Sequence, residues 1–123
     1  MSADSLHYKS IIEISELIRR KEAKPSEVTE AMLGRIAKLD GQFHGYALVL
    51  AERAMAQAKQ YDAEIAKGVW RGPLHGVPIG LKDLCYTSFA PTAGGDLATV
   101  LTAPPPRTGR RASTRRPPRG WSR

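Results

Sequence analysis

The chain has 123 residues, 41% hydrophobic and 25% charged, which is the make-up of one soluble globular domain with a modest core. Its net charge of +7 is uneven: residues 1–96 hold 12 Lys plus Arg against 12 Asp plus Glu, while residues 97–123 hold seven Arg and no acid. The basicity belongs to the tail, so the high pI is no ground for reading a nucleic-acid surface over the whole chain.

In chain order, the N-terminus MSADSLHYKS lacks the apolar core of a signal peptide. Ser10 followed by Glu13 is a capping-box pattern, opening a helix with Ile11, Ile14, Leu17 and Ile18 on one face. The run Arg19, Arg20, Lys21 suits that helix's C-terminal end, where cations meet the negative pole of the dipole. Pro25 and Ser26 start a second helix, with Ser26 as the expected N-cap. Val28, Met32, Ile36 and Leu39 carry its apolar face, and Asp40 and Gly41 close it. YALVL at 46–50 reads as a short buried strand. The longest apolar run is the six residues Tyr46 to Ala51, far short of the roughly 20 a membrane helix needs.

A third helix is expected from about Ala51 to Lys67, with Ala54, Met55, Ala58, Tyr61 and Ile65 inward and Gly68 as its stop. Then comes GPLHGVPIGLKD, residues 72–83. Val77, Ile79 and Leu81 alternate with period two, a strand pattern that ends on Lys82. Glycine inside such a run marks a close backbone approach or a bulge. A lysine so placed is expected in packed surroundings, where burial turns it into a candidate base or nucleophile. His75 and Asp83 read as turn residues, and His7 and His44 have no partner spacing. Cys85 is the single cysteine, expected as a packed thiol, so it forms no intrachain disulfide and a reducing cytosol is the default compartment. No His/Cys/Asp cluster has metal-ligand spacing.

After Gly95 the composition shifts. The last 27 residues hold five of the nine prolines, seven Arg and no Lys, which reads as a disordered tail. Two origins fit it. One is a basic arm that holds nucleic acid or another polyanion by charge, with Trp121 as a stacking surface. The other is translation in a shifted frame, which would produce the sudden exchange of Lys for Arg, Pro, Ala and Thr.

The motif PLHGVPIGLKD followed by PTAGG, with the helices before it, resembles the amidase signature family over residues from about 10 to 95. The resemblance implies an α/β protein: N-terminal helices plus the first strands of an amidase-signature mixed sheet, incomplete, with a disordered C-terminal tail. Residues 1–95 would be the N-terminal part of an amidase domain, and 96–123 the Arg/Pro-rich tail. The implied activity is hydrolysis of carbon–nitrogen amide bonds of small molecules, with no cofactor, or the same chemistry in the amidase subunit of a tRNA-dependent amidotransferase. The implied mechanism uses a nucleophilic serine, a second serine in a cis peptide and a lysine, and Lys82 matches the lysine. A serine hydroxyl attacks an amide only when a neighbouring base takes its proton. Neither serine has a match here: Ser88 lies six residues from Lys82, and Ser113 and Ser122 lie in the tail without the glycine context of an oxyanion hole. The chain is therefore expected to be inactive as it stands, with the Lys82 strand left as an unpaired edge.

Overall fold

The computed structural model describes residues 3–92 and 94. The chain divides after Gly80 into two units, residues 1–80 and 81–123; the described residues of the first form a short 3-10 helix, Ala3–Tyr8, and three α-helices. These are α1, Ile11–Arg19; α2, Pro25–Phe43; and α3, Ala51–Ala66.

α1 forms where its local signals place it. The Ser10 Oγ accepts the Glu13 N–H at 3.3 Å and the Glu13 carboxylate accepts the Ser10 N–H at 2.7 Å, so two N-terminal donors are satisfied reciprocally. Those Ser10 bonds hold the Glu13 carboxyl below its ordinary range. Ile14 and Ile18 are buried, Leu17 is half-buried, and Ile11 is exposed. Arg19 ends the helix, and Arg20 donates its N–H to the Glu16 carbonyl at 2.9 Å.

α2 begins differently from the expectation. Ser26 is not its N-cap: Pro25 takes the first helical position and Lys24 the cap. Proline suits that position because its missing N–H would have had no partner there. The Ser26 N–H is instead satisfied from α3, by Asp62 Oδ1 at 3.0 Å, and the Glu27 carboxylate accepts the Lys24 N–H at 2.9 Å. Asp62→Ala should therefore fray the first turn of α2 and destabilise the chain by about 1 kcal/mol. Amide exchange at Ser26 reads it directly, and unchanged protection there would refute the role of the carboxylate.

The other end of α2 also runs past its expected stop. Gly41 lies inside the helix, which closes at His44 with φ +50, in the left-handed conformation. Asp40 then secures the departing chain, its Oδ1 accepting the N–H groups of Gly45 at 2.7 Å and Tyr46 at 3.2 Å. The expected strand at 46–50 does not form. No strand occurs among the described residues, and Tyr46, Leu48 and Val49 are exposed. Apolar residues alone do not make a strand without a neighbour to complete its ladder of hydrogen bonds.

α3 follows its sequence pattern. Ala58 and Ile65 are buried, and Ala54, Met55 and Tyr61 are half-buried. It packs on α2, and the 3-10 helix rests on α2 in turn. The core joins Leu6, Ile14, Ile18, Ala23, Val28 and Ile65, with Leu17, Ala31, Met32 and Val77 at its margin. None of these helices is long and apolar enough to cross a membrane.

Candidate functional site

Gly68, at φ +83, ends α3, and its N–H reaches the Ile65 carbonyl at 3.0 Å. The Val69 N–H bonds the Glu64 carbonyl at 2.9 Å, which turns the chain back along the last turn of the helix. The motif segment then folds into tight turns. The His75 N–H bonds the Gly72 carbonyl at 3.0 Å, and the Val77 N–H bonds the Leu74 carbonyl at 3.2 Å.

His75 is the buried centre of this segment, with its side chain 1% exposed. Its Nδ1 accepts the Arg71 N–H at 3.2 Å, and its Nε2 lies 3.0 Å from Glu64 Oε2. Arg71 grips the same carboxylate with both arms of its guanidinium, at 2.7 and 2.9 Å. That guanidinium holds the Glu64 carboxyl below its ordinary range, and the carboxylate in turn raises Arg71. The Tyr61 ring meets the imidazole edge-on at a centroid distance of 4.8 Å, and Trp70 lies at 5.9 Å. The sequence marks His75 as a turn residue, and it is one. What the sequence conceals is the pair of partners on its ring, because Glu64 and Arg71 stand 11 and 4 residues away with no motif spacing.

Gly76, next to it, shows the close backbone approach expected of a glycine in this run, but in a turn rather than a strand. Its φ is +84, and an added Cβ would lie 2.5 Å from Pro25 Cγ. The following residues, 77–82, have no helix or strand, and Ile79 and Leu81 are exposed. The alternation of Val77, Ile79 and Leu81 is real in the sequence, but among the described residues it has no partner strand.

In the second unit, Lys82 is exposed rather than packed. Its carbonyl accepts the Cys85 N–H at 3.0 Å, so the lysine opens a tight turn. The loop after it is closed on itself by three further contacts. The Gly94 N–H bonds the Asp83 carbonyl at 2.8 Å, and the Thr92 hydroxyl donates to the Cys85 carbonyl at 2.7 Å. The Thr87 Oγ1 donates to the Ala90 carbonyl at 3.0 Å and accepts the Ala90 N–H at 3.2 Å. These bonds tie Asp83 to Gly94, Cys85 to Thr92 and Thr87 to Ala90, while Lys82 stays exposed. Cys85 is likewise exposed, not the packed thiol expected, and its neighbours Leu84 and Tyr86 are exposed too, so no packed apolar surroundings form around it. Ser88 is exposed in the same loop. Ser113, Ser122 and the arginine tail lie outside the described residues. Among the described residues, no group of three His, Cys, Asp or Glu side chains could hold a metal ion.

Known proteins share this segment. The family model described as Amidase matches residues 27–106, a stretch that includes His75, Lys82 and the closed loop and runs on past Gly95. The chain is 48% identical over 95 residues to a protein named putative amidase AmiD from Mycobacterium tuberculosis, covering 77% of this chain and 20% of that one. It is 43% identical over 100 residues to a glutamyl-tRNA(Gln) amidotransferase subunit from Moorella thermoacetica, covering 80% and 20%. An amidase of Pseudomonas putida is 34% identical over 99 residues, covering 80% and 21%. No solved structure matches the chain. The chain thus spans about a fifth of the length of the curated relatives it matches. With the family match covering more than half of its residues and the HGVPIGLKD segment inside it, this chain belongs to the amidase family.

Proposed function

We propose that this chain carries the lysine-bearing N-terminal part of an amide hydrolase, with Lys82 as the base that takes the proton of a nucleophilic serine by way of a second, cis-peptide serine. The observation that carries the reading is the position of Lys82 at the end of HGVPIGLK, inside the stretch matched by the amidase family. The Lys82–Cys85 turn supports it, because a catalytic group gains from a backbone already held in place. The apolar residues at 77–81 belong, in this reading, to the first strands of a mixed sheet whose neighbours come from the part of the domain that the relatives have beyond the matched fifth. The serine and the second, cis serine come from that part as well. The substrate is a small-molecule amide, or the amide donor of a tRNA-dependent amidotransferase.

On this reading the chain by itself should release no ammonia from simple aliphatic or aromatic amides above a Lys82→Ala control. Lysine-dependent release would show that it holds its own nucleophile. The role of Lys82 is tested in a chimera, by replacing the matched residues of AmiD with those of this chain. Amide hydrolysis by that chimera should fall by at least about a hundredfold on Lys82→Ala, the range in which a positioned base contributes. A chimera equally active with alanine would remove Lys82 from the mechanism.

A further inference from the structure

A carboxylate beside a histidine is the arrangement that orients a general base, so Glu64 and His75 raise the question of whether the imidazole does chemistry. A histidine base oriented by a carboxylate on one nitrogen must keep the other nitrogen available to the reacting group. Here the other nitrogen is taken. Nδ1 receives the Arg71 N–H at 3.2 Å, and the ring, 1% exposed, is lined by Tyr61 and Trp70. An acceptor nitrogen carries no proton, so with Nδ1 accepting from Arg71 the ring N–H is left to Nε2, which faces Glu64 Oε2 at 3.0 Å.

We infer that His75 is a positioning residue: a neutral imidazole, locked as the Nε2–H tautomer, that clasps the loop at residues 70–77 to the last turn of α3. It does so from both ends, the backbone of the loop on one nitrogen and a helix carboxylate on the other. The Arg71 guanidinium closes a second connection between the same two elements, through the same Glu64 carboxylate. The charged and titratable groups around the ring are then Glu64 and Tyr61 from α3 and Arg71 from the loop itself. The clasp deepens the amidase reading only in naming the segment it anchors as the HGVP part of that motif; the contacts themselves are independent of it.

The test uses the full chain and no amide substrate, so failure of the amidase reading leaves its outcome unaffected. Nitrogen-detected NMR of the histidine rings should show His75 Nδ1 as an unprotonated acceptor and Nε2 as protonated at neutral pH. A Nδ1–H tautomer, or a ring averaging between the two forms, would overturn the inference. Variants separate the two ends of the clasp. His75→Asn keeps an acceptor where Nδ1 stood, and His75→Gln keeps a donor where Nε2 stood. Exchange of the Arg71 amide should stay close to wild type in His75→Asn and quicken by about tenfold in His75→Gln and His75→Ala. Arg71 exchange that is unchanged in His75→Ala would overturn it too. Should a variant fail to fold, the tautomer of the wild-type ring still decides the matter.

Discussion

Gly76→Ala is expected to destabilise the chain by about 3 kcal/mol, from two causes that act together. The first is backbone conformation: at φ +84 a residue with a Cβ is strained wherever its side chain points. The second is contact, since the new Cβ would lie 2.5 Å from Pro25 Cγ and 3.0 Å from Pro25 Cβ, far inside van der Waals distance. Pro25 cannot yield easily. It is fully buried and holds the first position of α2. The loss should lower Tm by about 12–24 °C in a unit of this size. Thermal unfolding of Gly76→Ala beside Gly34→Ala makes the comparison. Gly34 is exposed in α2 with nothing near an added Cβ, so alanine there should stabilise the helix slightly. A Gly76→Ala variant with the Tm of wild type would refute the close approach to Pro25.

Ile18→Ala should cost about 3–4 kcal/mol, measured as a shift in the midpoint of urea unfolding at unchanged slope. Ile18 is wholly buried in the cluster with Ile14, Val28 and Ile65, so removing three carbons leaves a void between helices that pack from different directions. Ile12→Ala supplies the control within the same helix. Ile12 is 73% exposed, and its loss should stay within about 0.5 kcal/mol. Equal effects at the two positions would mean that α1 is held by its own helical propensity rather than by packing. Ile18→Ala should also fail to rescue Gly76→Ala. The severe contact of the added methyl is with Pro25, whereas Ile18 Cδ1 lies at an ordinary 3.6 Å.

What can be read from the residues alone follows how local each interaction is. The Ser10–Glu13 box closes within one turn, so the start of α1 is legible. The inward face of α3 is legible too, because its period needs no knowledge of the partner. The cap of α2 lies two positions before the expected one, since Ser26 is a good capping residue by type but its N–H is met by Asp62, 36 residues away. Gly41 has the composition of a stop, yet the helix passes through it and ends where His44 takes the left-handed conformation. YALVL and the Val77–Leu81 alternation have the residues of strands, but a strand exists only with a neighbour, and none is among the described residues. Within the motif, the sequence points to Lys82 as a candidate base and to His75 as a turn residue. It does not convey that Lys82 is exposed, or that His75 is tied at both ring nitrogens. Those ties come from the return of the chain over α3, which Gly68 initiates.

The bond from Ser26 to Asp62 also has a consequence in time. α2 precedes α3 in the chain, so during synthesis the whole of α2 is made before the carboxylate that completes its first turn. At about 5–20 residues per second, the intervening stretch takes roughly 2–7 s to be polymerised, far longer than a helix needs to form or melt. Throughout that interval the nascent α2 opens and closes at its leading end many times over. Its first turn is completed only when its successor arrives, so the order of translation is not the order in which the helix ends are secured.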